Sequence, residues 1–195
     1  MFDGLVAVGQ NILQTAVWMG LFLAVLWIIY LIDAVPLKGK LKTRFGLIPR
    51  SHFSLLRILI SPFLHVNRKH LAANSIPFFL LGSLVMVQGQ TTFWLSTLII
   101  ILVSGLGIYF FGKAGTIHMG ASGLILGYFG YLLTNIFFNP DIITIVIAAI
   151  VVVLYLGLIT QIVPFKKGVS TTGHLFGFIG GIIAAGVTSW IPTIR

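Results

Sequence analysis

The stretch 117–138, with the sequence IHMGASGLILGYFGYLLTNIFF, decides the fold that this chain is expected to adopt. It is long and apolar enough to cross a bilayer as an α-helix, which takes about 20 residues. Ser122 stands near its start, within Gly120-Ala121-Ser122-Gly123. A hydroxyl in hydrocarbon is costly unless a partner or a reaction uses it, and small neighbours let another backbone approach closely. The stretch therefore predicts a membrane helix that carries a candidate nucleophile.

Five other stretches of the chain have comparable length and hydropathy. The chain of 195 residues is 58% hydrophobic and 8% charged, with a mean hydropathy of +1.10, whereas a soluble domain carries about 25% charged residues. Because so few charges cannot cover a surface that faces water, we expect lipid around most of the chain. The sequence thus predicts an all-α integral membrane protein, a single domain over residues 1–195, with six transmembrane helices at 12–32, 71–87, 92–111, 117–138, 142–163 and 172–191.

The scarcity of acidic residues excludes several kinds of catalytic site. The only acids are Asp3, Asp33 and Asp141, each near the end of an apolar stretch, and cysteine is absent. These facts exclude an intramembrane aspartyl dyad, an H-E-x-x-H zinc site, a thiolate metal site and a cysteine nucleophile. The five histidines leave only an all-histidine metal site open, and we expect neither metal nor cofactor. The net charge is +9, and the basic residues lie between the apolar stretches. Contact with lipid headgroups therefore explains them better than binding of nucleic acid does.

Polar residues of three membrane helices are expected at one depth. The second, fourth and sixth predicted helices enter the membrane from the same side, and near their starts stand His70, Asn74, Ser122 and His174. The hydroxyl of Ser122 needs a base to become a nucleophile, and His174 is its natural partner. Since no carboxylate is available to orient this histidine, the sequence predicts a dyad rather than a triad.

His70 and Asn74 are four residues apart, which places both on one face of a helix. Both side chains can donate hydrogen bonds, so they fit an oxyanion hole together with the backbone amide of Ser122. Each polar group also has a simpler explanation: a serine often bonds to the preceding turn, an asparagine can link two helices, and a histidine can lie at the interface. Their common depth favours one shared site.

Two pairs of glycines are expected to serve mainly in the packing of helices. Gly123 and Gly127, like Gly177 and Gly181, are four residues apart, a spacing typical of tight contact between membrane helices.

Three motifs resemble those of the rhomboid family of intramembrane serine proteases. HLAAN at 70–74 is similar to the family's H-x-x-x-N, GASG at 120–123 to its G-x-S-G, and HLFGFIGG at 174–181 to its H-x-x-G-x-x-x-G. His65 also stands where many members carry a histidine. The likeness extends over about residues 46–186, and the three motifs occur in the family's order on the expected helices.

The resemblance implies a rhomboid-like core of six helices, over about residues 46–192, with a water-filled cavity open to one face. It implies Ser122 as nucleophile, His174 as general base and acid, and an oxyanion hole of His70, Asn74 and the Ser122 amide, with Gly120 among the supporting glycines. Substrates would be membrane proteins cleaved in or near a transmembrane helix. No metal or cofactor is implied. The location would be a bacterial plasma membrane, with the N-terminus in the cytoplasm.

The chain departs from the family pattern at three places. Leu56 precedes Arg57 where many members carry Trp-Arg, and Val85-Met86-Val87-Gln88 lacks a glutamate that in other members braces the first loop. Leu126, with Tyr128 nearby, stands where some members place a tyrosine that stacks on the catalytic histidine. The resemblance therefore does not predict how the first loop is braced or how His174 is oriented.

The distribution of basic residues conflicts with the implied orientation. Eleven of the twelve Lys and Arg residues lie in the first, third and fifth connections, which the positive-inside rule assigns to the cytoplasm together with the mouth of the site. The resemblance implies the opposite arrangement. The amphipathic segment 53–60 could lie in the interface with Arg57 among the headgroups, which would weaken the count. We therefore expect the family orientation.

Two other functions stay open. A non-catalytic relative would bind or escort membrane clients, although such relatives usually lack the serine or the histidine. A small transporter or channel would need polar groups at several depths, whereas here they cluster at one. The sequence does not predict the natural substrate or the oligomeric state.

Overall fold

The structure is a computed structural model that describes residues 2–161 and 171–190. Within these ranges the chain forms eight α-helices and one isolated β-bridge. The helices are α1 (Phe2–Ala34), α2 (Lys40–Phe45), α3 (Leu55–Ile60), α4 (Arg68–Met86), α5 (Gln90–Phe111), α6 (Ser122–Thr134), α7 (Ile142–Tyr155) and α8 (Thr171–Thr188). Short 3-10 helices follow α3, α6 and α7 at Ser61–Phe63, Asn135–Phe137 and Leu156–Gln161.

The predicted membrane helices correspond to α1 and to α4 through α8, so the prediction of an all-α integral membrane protein is confirmed. Among the described residues, four helical segments are long and apolar enough to cross a membrane: Gly9–Ala34, Gln90–Phe111, Ile142–Gln161 and Thr171–Thr188. The apolar segment Ser122–Phe137 is shorter, and α4 has 19 residues with Pro77 inside it. Several predicted features lie outside the described residues, namely the helix ends at 163 and 191, Lys166, Lys167 and Arg195.

The start predicted for the fourth membrane helix, at Ile117, is wrong, because α6 begins at Ser122. The backbone of His118 instead pairs with that of Leu47, with N–O distances of 2.8 and 2.9 Å. Gly120 then adopts a φ of +115°, which a right-handed helix does not allow. Hydropathy cannot reveal a boundary that depends on pairing with a distant segment. Ser122 is therefore the first helical residue, and its amide has no acceptor within the helix.

The central helix of the bundle is α6. It contacts α4, α5, α7 and α8, and its residues 124–132 are all buried. Against it packs α8, with Gly177 facing the carbonyl of Gly123 and Gly181 facing that of Gly127, so a Cβ at either position would collide with backbone. Such contact between small residues lets two membrane helices approach closely. The crossing brings the N-terminal ends of α6 and α8 together.

The first connection folds onto the end of the bundle where α4, α6 and α8 begin. A carboxylate oxygen of Asp33, at the end of α1, accepts from the amide of Leu41 at 2.8 Å and so anchors α2. Ile58 of α3 is buried against α5. The guanidinium of Arg50 donates to the carbonyl of Gly112, just beyond α5, at 2.8 Å. These contacts hold the first connection against the bundle.

Gln88, by contrast, lies at the opposite end of the bundle. Its side-chain oxygen accepts from Asn135 Nδ2 at 2.9 Å and from the hydroxyl of Tyr131 at 3.3 Å. It therefore ties the end of α4 to the end of α6 and does not reach the first connection.

Candidate active site

Ser122 and His174 are joined by a direct hydrogen bond at the N-terminal ends of α6 and α8. Ser122 Oγ lies 2.8 Å from His174 Nε2, which is the usual separation for a hydroxyl donor. The imidazole is 4% exposed. Next to it, the hydroxyl of Ser104 in α5 donates to the carbonyl of Gly173 at 3.0 Å and holds this end of α8. The arrangement can pass a proton from the serine hydroxyl to the imidazole.

The second ring nitrogen of His174 is also engaged. Nδ1 lies 3.1 Å from the backbone carbonyl of Gln161, in the 3-10 helix after α7. Because a carbonyl can only accept, Nδ1 must carry the ring proton and Nε2 must present its lone pair to Ser122. The carbonyl thus selects the tautomer that a general base would need, and no carboxylate takes part in this contact. A backbone acceptor has no signature in the sequence, so this group could not be predicted.

Tyr128 does not stack on His174. Its hydroxyl is 2.8 Å from Thr97 Oγ1, and its ring stacks on Phe93 with centroids 5.8 Å apart. The tyrosine therefore stabilises the contact between α6 and α5 inside the bundle. Among the described contacts, the carbonyl of Gln161 is what orients the imidazole of His174.

His70 lies against Gly120, two residues before Ser122. A Cβ added to Gly120 would lie 2.6 Å from His70 Cε1 and 3.1 Å from Nε2. The amide of Gly120 donates to the carbonyl of Ser61 at 3.0 Å, which fixes the turn before α6. The imidazole of His70 thus lies beside the turn that leads into Ser122. Donors in this arrangement can bind a developing negative charge.

Asn74, one turn after His70 in α4, is buried and bound to a residue that the sequence reasoning did not place in the site. Its Nδ2 lies 3.2 Å from Nε2 of His65. The same nitrogen of His65 lies 3.5 Å from the backbone N of Ala121. Burial, with a smaller contribution from His70, lowers the pKa of His65 to about 4. The repeated histidines before Asn74 were a signal for this residue, but its partners depend on the loop conformation.

A small cavity of about 30 Å³ adjoins the dyad and is lined by residues that include Ser61, Ser104, His118, Ser122 and His174. A polar cavity of more than about 15 Å³ can hold a water molecule. A water held here would lie within reach of both the serine and the histidine.

The described histidines do not form a metal site. Within 2–161 and 171–190, no group of three or more His, Cys, Asp or Glu residues is arranged to hold a metal ion. The Nε2 atom of His118 is 2.8 Å from Thr116 Oγ1, while those of His65 and His174 face Asn74 and Ser122.

Comparisons with known proteins find relatives of most of the chain. A model of the Rhomboid domain matches residues 52–191. An uncharacterized protein of Mycobacterium tuberculosis is 37% identical over 172 residues, which cover 84% of this chain and 71% of that protein. An uncharacterized protein of Mycobacterium leprae is 33% identical over 175 residues, covering 84% and 67%. A Bacillus subtilis protein provisionally named a rhomboid protease is 29% identical over 127 residues, covering 64% and 63%.

Proposed function

This chain belongs to the rhomboid family, and we propose that it is a serine endopeptidase that cleaves other membrane proteins in or near a transmembrane segment. The 2.8 Å hydrogen bond between Ser122 Oγ and His174 Nε2 carries the proposal. It joins a hydroxyl and an imidazole at the N-terminal ends of two packed membrane helices, where one can act as nucleophile and the other as base. A relative that only binds clients has no need to keep these two groups hydrogen-bonded.

The reaction would proceed through an acyl-enzyme. Ser122 Oγ attacks the carbonyl carbon of the scissile peptide bond while its proton passes to His174 Nε2. The carbonyl oxygen becomes an oxyanion, held by His70, Asn74 and the Ser122 amide. His174 then gives its proton to the leaving amine, and the C–N bond breaks. The carbonyl of Gln161 keeps the proton on Nδ1 throughout, so that Nε2 alone exchanges protons.

Deacylation would use a water molecule. His174 Nε2 takes a proton from a water that attacks the ester carbon, and the serine oxygen leaves and recovers that proton. The cavity of about 30 Å³ beside the dyad supports this step, because it offers water a place inside the apolar bundle. The step requires neither a metal nor another cofactor.

The substrate would be a membrane protein with one transmembrane helix that unwinds easily and carries small residues at the cleaved bond. We further propose a single domain with its catalytic core at about residues 46–192, a bacterial plasma membrane as the location, and a cytoplasmic N-terminus. The bilayer would be its surroundings, and nucleic acid would not be a partner.

Cleavage in a reconstituted system tests the proposal. The wild-type protein, in lipid vesicles with a model single-span substrate, is expected to release the two fragments. Ser122→Ala and His174→Ala should each abolish cleavage. Ser189→Ala is the matched control, because the hydroxyl of Ser189 donates to the carbonyl of Gly186, at the far end of α8. Cleavage that survives in Ser122→Ala would refute the proposal.

A further inference from the structure

We propose that His65 is a positioning residue that holds the side-chain amide of Asn74 and the turn before Ser122 in place for oxyanion binding. The inference rests on the proposed function, because these groups need precise placement only if an oxyanion forms. His65 lies in the loop between the 3-10 helix Ser61–Phe63 and α4. Its side chain is 2% exposed, so its contacts are with protein rather than with solvent.

The partners of His65 determine which ring nitrogen carries the proton. The backbone amide of Ala121 lies 3.5 Å from His65 Nε2 and can only donate. Nε2 therefore presents a lone pair. Asn74 lies 3.2 Å from the same nitrogen. Its Nδ2 must then face the ring, because its oxygen would be repelled by the lone pair of Nε2. One acceptor atom thus fixes the orientation of the Asn74 amide and the position of the Ala121 amide.

His65 connects every part of the proposed oxyanion hole. Asn74 belongs to α4, and Ala121 immediately precedes Ser122 and α6. The ring of His65 also packs edge to face on that of His70, with centroids 5.3 Å apart. Its three contacts therefore reach both donor side chains and the turn that presents the third donor.

The positioning role needs a neutral imidazole, and the surroundings of His65 favour the neutral form of its ring. Asn74 and Ala121 carry no charge, and His70 is the titratable group that faces the ring. Because burial holds the pKa of His65 at about 4, Nε2 keeps its lone pair at neutral pH.

A matched pair of substitutions tests the inference. Glutamine can place an acceptor oxygen near the position of Nε2, whereas leucine of similar size cannot. We expect His65→Leu to lower kcat by about 10- to 100-fold, less than the loss of a whole oxyanion donor, with little change in KM. His65→Gln should restore most of the rate. Rates are normalised to the fraction of protein that is folded, as measured by thermal unfolding in detergent.

A double-mutant cycle separates positioning from general support of the fold. In an Asn74→Ala background, His65→Leu should lower kcat by a smaller factor than in the wild type, because the amide that His65 orients is gone. If His65→Leu does not fold, His65→Asn, which is polar but too short to reach Asn74, replaces it in both arms. Equal rates for the folded Gln and Leu variants, or independent effects in the cycle, would overturn the inference. Failure of the wild type to cleave would instead refute the proposed function.

Discussion

Gly177 in α8 lies directly against the backbone carbonyl of Gly123 in α6, and no space remains between them for a side chain. Gly123 follows Ser122, and Gly177 lies one helical turn after His174. The contact between these two glycines therefore sets the separation of the proposed nucleophile from its base.

Gly177→Ala should weaken both the fold and the reaction. The added methyl group would collide with the backbone of Gly123, so the helices must separate. We expect a loss of about 1–3 kcal/mol in the free energy of unfolding, typical of overpacking. Cleavage should fall with it, since a small displacement of the base lowers the rate steeply. Gly20→Ala in α1 is the control, because nothing lies within 4 Å of the added Cβ. Unchanged stability and cleavage in Gly177→Ala would contradict this interpretation of the crossing.

Gly120→Ala should disturb His70 specifically. Its Cβ would lie 2.6 Å from His70 Cε1, at a φ of +115°. Gly115→Ala is a matched control for backbone strain, since Gly115 also has a positive φ, of +75°, but nothing lies within 4 Å. We expect kcat to fall at least about tenfold in Gly120→Ala relative to Gly115→Ala, as for a weakened oxyanion donor. Similar rates in the two variants would show that the His70 contact does not matter for cleavage.

Asn74→Ala should act on the transition state rather than on substrate binding. Loss of one oxyanion donor lowers kcat by about 100- to 1,000-fold, and we expect KM to remain nearly constant. Steady-state cleavage measurements give both constants. Asn139→Ala serves as control, because Asn139 donates to Asn135 at 2.8 Å at the opposite end of the bundle. A variant of Asn74 that raises KM and leaves kcat unchanged would place this residue outside the oxyanion hole.

The orientation in the membrane is a prediction that a reporter fusion can test, and the contacts of two basic side chains bear on it. Arg50 donates to the carbonyl of Gly112 at 2.8 Å, and Lys42 Nζ lies 3.4 Å from that of Val66. Because these cations are bound to protein carbonyls, we expect them to count less toward the positive-inside rule. The other nine basic residues in the first, third and fifth connections still favour the opposite orientation, so the prediction rests on the arrangement implied by the family. A reporter fused after Arg195 should be cytoplasmic, with the active site on the other face. An extracytoplasmic reporter would reverse the orientation.

The membrane helices could be predicted because hydropathy is a local property of the chain. The start of α6 could not, since it depends on the pairing of Leu47 with His118 and on the backbone conformation of Gly120. Both are consequences of tertiary contact.

The same distinction between local sequence signals and tertiary contacts applies to the candidate site. Residue type and expected depth in the membrane predict Ser122, His174, His70 and Asn74 as the site. The structure joins Ser122 to His174 and places His70 beside Gly120, and the roles of all four stay predictions. The groups that orient them were not predicted. Gln161 acts through a backbone carbonyl, and His65 reaches Asn74 only because of the turn that precedes α4.

Labelling with a fluorophosphonate tests the central claim most directly, because the reagent reacts with a serine only where the hydroxyl is activated and its oxyanion is stabilised. We predict that the wild-type protein in membranes is labelled, that Ser122→Ala is not, and that His174→Ala reacts far more slowly. Ser189→Ala should be labelled like the wild type. Labelling that persists in Ser122→Ala would contradict the assignment of Ser122 as the nucleophile.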